Sequence, residues 1–388
     1  MTNTSLRPDF QDLGDQVAKP YAAQADGTPI ELRNREEFVD SVFEAAAGMF
    51  STIDDMLKWA DMWLRGESYL IKSGDADSSM AGSNHLETAA NGGGLDLRRS
   101  ADSLQFDAIL SPDQFNHLLS ASIPIVQPSF HERSYTPGGW IRTQLRNTLG
   151  LMGDNAYIFD PSSLPSLGQG CPSELIFYHQ GSTVGYFSCI MLIPRTHSAV
   201  VVLTNGFGLC DAADWMAQAV LQVLLDVPLE NCVDFVQWSE KSASELVRRY
   251  DDMNKAIEAE RDTEEISPYV PMEYTGVYVN ELGNFTIEIR DVSTGPEPEQ
   301  EKLELSFQGL ETQCYELRYL YGDVWEWALT LDEVAARGRF HELSAEYFKI
   351  RFHTSSGEEG FQYDELIWIE NPDYEPEGMV FRRRLSDD

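Results

Sequence analysis

Two hydrophobic regimes divide this chain. Up to residue 263, apolar residues come in unbroken runs or at helical spacing, and from 273 onward they alternate with polar ones. The densest runs lie within residues 174–204. Glu174–His179 is an apolar segment followed by Gln180-Gly181-Ser182, which reads as a turn. Tyr186–Ile193 is aromatic and β-branched enough for a buried strand. Pro194–Ser198 reads as a turn, because proline fixes φ and polar residues follow. Ala199–Thr204 is a third strand, ended by Asn205-Gly206. A meander this apolar needs cover, and Asp211–Asp226 is the predicted helix that supplies it. It opens on a capping Asp and carries Trp215, Met216, Ala219, Val220, Val223 and Leu224 at helical spacing.

The flanking segments complete an α+β pattern. Residues 7–34 are polar and proline-containing and read as an extended arm, with a short helix over Arg35–Glu44. Ser51 or Thr52 caps a helix whose first turn holds Asp54 and Asp55, favoured there by the helix dipole. Its apolar stripe is Met56, Trp59, Ala60, Trp63 and Leu64, a core-facing wall, and Gly66 is its predicted stop. Residues 66–105 are rich in Gly, Ser, Asp and Asn and read as a flexible insertion. Asp107–Ser122 is predicted helical, Tyr157–Leu167 a loop, and Ser239–Glu260 a charged helix. These readings give a first domain over 1–263, an acidic, proline-containing linker over 264–272, and a second domain over 273–388. In the second, about eight short alternating segments separated by Gly, Asp and Asn turns predict a small antiparallel barrel. Its aromatics (Phe285, Trp325, Trp327, Trp368) are expected to be packing rather than a ligand pocket.

Composition narrows the function classes. The formal net charge is −36, from 64 acidic and 28 basic residues among 388. Such a field repels nucleic acid and anionic membrane and favours solubility, so neither nucleic-acid binding nor a membrane span is expected. No apolar run approaches a membrane span, and no apolar core marks a signal peptide near Met1. Five scattered cysteines without C-x-x-C spacing predict free thiols in a reducing compartment, which favours the cytoplasm. No histidine pair, Walker loop or dinucleotide fingerprint occurs, so no metal or cofactor is expected.

His179-Gln180-Gly181-Ser182, followed by a strand, a proline turn, a valine-rich strand ending Thr204-Asn205 and a terminal helix, resembles the third motif of the serine β-lactamase and penicillin-binding-protein superfamily. The resemblance is to its class C, esterase and D-aminopeptidase branches, where the Lys-Thr-Gly triplet is often His-x-Gly. Ala46–Thr52 with Asp54–Trp59, and Met1–Leu6, resemble segments that lie between the second and third motifs. Tyr135-Thr-Pro-Gly-Gly-Trp140 is a loose version of a strand that lines the substrate cleft. Tyr274-Thr-Gly-Val-Tyr278 resembles the opening of the lipocalin-like domain that follows many such hydrolases. The resemblance implies a β-lactamase/transpeptidase-like antiparallel sheet with flanking helices. It implies catalytic positions at His179, Gly181 and Ser182, with the Ser182 N–H as half of an oxyanion hole, and substrate contacts at Tyr135 and Trp140. It implies acyl hydrolysis or transfer on an ester, lactone or amide of a small molecule, and permits a role in secondary-metabolite biosynthesis.

The nucleophile is missing from this pattern. The family places it in Ser-x-x-Lys, where one helical turn sets the ammonium beside the hydroxyl. None of the seven lysines here has a serine three residues earlier, and the one Tyr-x-Asn, Tyr278-Val279-Asn280, falls in the second domain. The N-terminal part of the first domain is therefore expected to be missing, with an upstream segment or second chain completing the sheet. Two other readings stay open. A noncatalytic module binding a small molecule or a protein predicts an open, hydrophobic barrel. An enzyme of different chemistry, using His179 with Tyr178 or Tyr186, predicts an activity that His179→Ala abolishes and serine-directed probes leave untouched. An apolar edge at Ala199–Thr204 is a pairing liability. The isolated chain is therefore expected to be poorly soluble or to require a completing partner. Light scattering and a thermal melt check this, and a monodisperse, cooperatively melting monomer contradicts it.

Overall fold

The computed structural model describes residues 1–6, 16–33, 44–78, 110–125, 133–261, 271–293, 302–354 and 363–384. The chain divides into two compact units, Met1–Pro20 with Asn34–Ser242 and Tyr21–Arg33 with Ala243–Asp388. The division falls within a long helix, Phe235–Ala259. Most of the expected linker and insertion lies outside the described residues, as does most of the expected Arg35–Glu44 helix.

In the first unit, the apolar runs build a six-stranded antiparallel sheet. Its strands are β1 (Ile123–Pro124), β2 (Arg133–Tyr135), β3 (Ile141–Leu145), β4 (Glu174–Thr183), β5 (Tyr186–Ile193) and β6 (Ser198–Thr204). The spatial order is β6-β5-β4-β3-β2-β1, so the valine-rich β6 ends the sheet. Four helices belong to the layers around it: α1 (Ile53–Ser78), α2 (Pro112–Leu119), α3 (Asp154–Ile158) and α4 (Ala212–Leu224). On one face Ile141, Ile176, Tyr178, Met191 and Val200 pack with Ala213, Trp215, Ala217 and Leu221 of α4. On the other, Phe177, Ile190 and Leu192 meet Ala60, Trp63 and Leu64 of α1 and Phe115 of α2. Both faces are thus covered, as runs without polar alternation require.

Three local predictions change. The strand does not turn at Gln180-Gly181-Ser182 but continues to Thr183, and the two-residue turn is Val184-Gly185, with Gly185 at φ +94°. Gly181 has a packing role instead: a Cβ there would lie 2.4 Å from the Oγ of its cross-strand neighbour Ser188. The helix expected to stop at Gly66 runs on to Ser78. Gly66 is again a close-approach glycine, because a Cβ would lie 2.2 Å from the Phe115 ring. Finally, Tyr157–Leu167 is not all loop, since α3 ends at Ile158 and a short 3-10 turn spans Pro161–Ser163. The start of α1 matches expectation, with Thr52 Oγ1 accepting from the Asp55 N–H. The buried Asp55 carboxylate also accepts from the Asn3 N–H and the Lys58 ammonium, which hold its pKa down at about 2.

The second unit closes as predicted into an eight-stranded antiparallel barrel of β7 (Gly276–Asn280), β8 (Thr286–Asp291), β9 (Leu303–Phe307), β10 (Cys314–Tyr321), β11 (Val324–Glu326), β12 (Lys349–His353), β13 (Glu365–Trp368) and β14 (Met379–Arg383). Strand β14 pairs with β7 to complete the ring. An eight-stranded barrel is just wide enough for side chains to fill. Here aromatic rings fill it: Trp327 lies 4.7 Å from Tyr315, 5.0 Å from Phe348 and 5.3 Å from Phe307, centroid to centroid. Tyr278 of the stray Tyr-x-Asn is part of this packing, its hydroxyl donating to the Tyr274 carbonyl. The interior is therefore packed with rings, contrary to the open barrel that the binding-module reading requires.

Gly66→Ala tests the close approach of α1 and α2. Ala gains about 1 kcal/mol over Gly in a helix, but overpacking a core costs about 1–3 kcal/mol. Net destabilisation is expected in urea melts, relieved when Phe115→Leu is added. Stabilisation by Gly66→Ala alone would contradict the packing.

Candidate functional site

The candidate residues of the His-x-Gly segment sit on β4, between β3 and β5, and strand alternation sorts them. Even-numbered side chains of β4 face α4, odd-numbered ones α1, as Ile176 and Tyr178 against Leu175 and Phe177 show. His179 pairs with Ile190 on β5. On the other side β3 begins at Ile141, opposite Tyr178, so from His179 onward β4 projects past the end of β3. Tyr135 of β2 reaches this place. Its hydroxyl is 2.5 Å from His179 Nε2, with the rings edge to face. His179 Nδ1 contacts the Gln180 carbonyl oxygen. A carbonyl can only accept, so Nδ1 carries the proton and Nε2 accepts from the Tyr135 hydroxyl. Burial raises the Tyr135 pKa, so the phenol keeps its proton as a donor should.

The backbone of Ser182 follows from the same ladder. In an antiparallel pair, hydrogen-bonded and non-hydrogen-bonded residue pairs alternate. Phe187, opposite Ser182, exchanges its N–H and C=O with Thr204 Oγ1 on β6. Ser182 therefore directs its own N–H away from β5, to the side where β3 has ended. Its side chain goes inward to the Asp154 carboxyl: Ser182 Oγ and Asp154 Oδ2 are both buried, and burial raises the Asp154 pKa against the opposing effect of the Ser182 hydroxyl.

Not all candidates converge. Tyr135, His179, Gly181 and Ser182 lie at one end of the sheet. Trp140 is 1% exposed within the α1 core, stacked on Trp59 at 5.0 Å. Of the tyrosines considered as partners for His179, Tyr178 is buried on the α4 side and Tyr186 donates its hydroxyl to the Ala18 carbonyl. Tyr135 is the one that meets the imidazole.

Sequence reasoning missed a buried polar cluster beneath this strand. Asp214 of α4 is fully buried, and its carboxylate accepts from Gln180 Nε2 at 3.0 Å, from Gln218 Nε2 and from Asn155 Nδ2. Asn155 also clamps Asp211, accepting from its N–H and donating to its C=O. Asp211 in turn caps α4, its Oδ1 accepting from the Asp214 N–H. The expected face holds only in part: Trp215 is buried and Ala219 packs on the core, but Asp214, Ala217, Gln218 and Leu221 also point inward, while Met216, Val220, Val223 and Leu224 are exposed. The signal was present as polar residues at 211, 214 and 218, a helical spacing that places them on one face. Burial, reinforced by the neighbouring Asp214 and Asp154 carboxylates, pushes Asp211 up to about 8.

A β-lactamase family model matches residues 1–223, more than half of the chain. The chain belongs to the β-lactamase family. Among solved structures, it is similar to the octameric penicillin-binding protein homologue from Pyrococcus abyssi, with 13% identity and a TM-score of 0.35, over 98% of this chain and 57% of that one. It is similar to SurE with D-Leu at 14% identity and a TM-score of 0.19, over 71% of this chain and 44% of that one. This β-lactamase family chain thus spans little more than half the length of the penicillin-binding protein homologue. No curated protein matches it. Among the described residues, no group of three or more His, Cys, Asp or Glu side chains could hold a metal ion. Among them, too, no helix is long and apolar enough to cross a membrane.

The buried acids set a pH dependence. An acid whose pKa is raised by folding keeps its proton in the native chain at pH values where the unfolded chain has lost it. Stability is then fully present below the unfolded value of about 4. It declines as pH rises towards the folded value of about 8. Asp211→Asn keeps a capping oxygen and removes the titration, so it is expected to stabilise the first unit near pH 8 and flatten the decline. Urea midpoints of the two proteins across that window check this, and parallel pH profiles would contradict it.

Proposed function

We propose that the projecting end of β4 is one wall of an acyl-transfer site. Its reaction is hydrolysis or transfer of an acyl group on an ester, lactone or amide of a small molecule, by the serine chemistry of the β-lactamase family. The observation that carries this reading is the Tyr135–His179 hydrogen bond with its fixed tautomer. A neutral imidazole that presents Nε2 to a phenol can pass a proton between that phenol and a reacting oxygen or nitrogen. The Ser182 N–H, directed away from β5, would stabilise the negative charge that develops on the carbonyl oxygen. Gly181 serves by letting β4 and β5 close tightly at Ser188.

The chain carries neither Ser-x-x-Lys nor a Tyr-x-Asn in its first unit, so in this reading the nucleophile comes from an N-terminal segment or a second chain that completes the sheet. A secondary-metabolite substrate is compatible with a small-molecule ester, lactone or amide. Trp140 supports the site from the core, stacked beneath it on Trp59, rather than touching substrate.

The test is acylation mapping. Protein from its native source is treated with a serine-directed acylating probe, and the adduct is located by peptide mass. The acyl group is expected on a serine outside these 388 residues. The 388-residue chain alone is expected to stay unlabelled. In the complete assembly, His179→Ala is expected to slow labelling roughly 10²–10⁴-fold, the usual contribution of a general acid–base group. A labelled serine within the chain, or undiminished labelling after His179→Ala, overturns the reading.

A further inference from the structure

The geometry points to Asp214 as a positioning residue that acts through Gln180 to hold His179 and the Ser182 N–H in place from the opposite face of the sheet. The inference rests on the acyl-transfer reading for its purpose, but not for its measurement. Gln180 is the x of His-x-Gly. Its side chain is 8% exposed and ends on Asp214 Oδ1. Its neighbours His179 and Gly181 face the other way, and its own carbonyl oxygen accepts a hydrogen bond from the His179 Nδ1–H. One residue therefore connects the imidazole to a carboxylate buried on the α4 side.

The surroundings leave this pair little freedom. Gly150, at φ +75°, lies so close that a Cβ would be 2.7 Å from Asp214 Oδ2, and a Cβ on Gly153 would be 3.4 Å from Gln180 Cδ. Two glycines thus fit the 150–153 loop against the amide and the carboxylate. Gln218 and Asn155 fix the carboxylate from α4 and α3. The titratable groups facing it are Asp154 from α3, Cys210 and Asp211 just ahead of α4, Tyr178 from β4 and Cys189 from β5. Among the described residues no cation pairs with it. A core built for stability alone is served as well by an apolar side chain, since a buried charge without a counter-ion is unfavourable. Holding a strand in one register and height is what amide-to-carboxylate contacts add.

Reversing the hydrogen bond tests this. The full chain, labelled for NMR, is compared as wild type, Asp214→Asn, Gln180→Glu and the double variant. Each single variant is expected to move the His179 ring signals and the Ser182 amide signal together. Loss of one hydrogen bond is expected to speed exchange of the Gly181 and Ser188 amides roughly five- to thirty-fold. The double variant restores an amide-to-carboxylate bond in the opposite direction and is expected to return all of these signals towards wild type. Melting points that fall while the His179 and Ser182 signals stay put would make Asp214 merely structural and overturn the inference. Single-variant shifts that the double variant fails to reverse would overturn it too. Where Asp214→Asn fails to fold, Gln180→Met leaves the carboxylate with Gln218 and Asn155, and unmoved His179 and Ser182 signals in that variant overturn the inference. None of these readings requires turnover, so they stand apart from the acylation test.

Discussion

Asp214 is fully buried in the first unit with, among the described residues, no counter-ion, and side-chain amides make its burial tolerable. Three of them, from β4, α3 and α4, converge on its two oxygens. Desolvation disfavours the charge and each amide donor favours it, so the balance depends on all three elements being in place. That makes Asp214 a constraint on the fold as well as a member of it. Moving α4 along the sheet, or β4 against α3, strands a buried polar group, and an unsatisfied one costs about 1–3 kcal/mol. The second unit treats a similar problem differently. Glu326 is as deeply buried, but Arg261 and Arg318 both reach it at 2.8 and 2.7 Å. One unit pairs its buried acid with guanidinium groups, and the other holds it with side-chain amides.

What could be read in the chain depended on whether pattern and burial agreed. The barrel strands were most legible where alternation survives, as in Thr286-Ile-Glu-Ile, whose isoleucines are buried and whose Thr and Glu are half-exposed; Val324-Trp-Glu, buried throughout, was a looser pattern. Strands β5 and β6 were legible as unbroken apolar runs. The misreadings were of glycines and of buried polar residues. Gly66 and Gly181 are there because Phe115 and Ser188 need the space of a Cβ, and a sequence shows the glycine without showing the neighbour. The face of α4 was read only in part, because apolar residues were assumed to point inward: Trp215 does and Val223 does not, while Asp214 and Gln218 do. In the candidate site, His179 and Ser182 came from a motif, but the meeting of His179 with Tyr135 depends on where β3 ends, a property of register rather than of spacing.

The ring-filled barrel separates two meanings of a lipocalin-like pattern. The same alternation of inward apolar residues serves a barrel that holds a ligand and one that holds only itself, and the size of the inward side chains decides between them. Here Tyr274, Tyr278, Tyr315, Trp327, Phe352 and Phe381 are each less than 2% exposed. Rings of that size at neighbouring inward positions fill the interior.

Membership of the β-lactamase family fixes a scaffold, and the scaffold distributes catalysis over segments far apart in sequence. In the acyl-transfer reading proposed above, β4 supplies an oxyanion donor and a proton relay and is useful only next to a nucleophile, yet its own geometry is set by what lies behind it. In this chain Gln180 and Asn155 both donate to Asp214, and Gly150 packs against the same carboxylate, all within the first unit. A wall that holds its shape independently can be joined by a nucleophile from another segment without first being ordered by it. That is the property a site divided between segments needs, because the entropy of arranging the donors is then met during folding rather than at the moment of reaction.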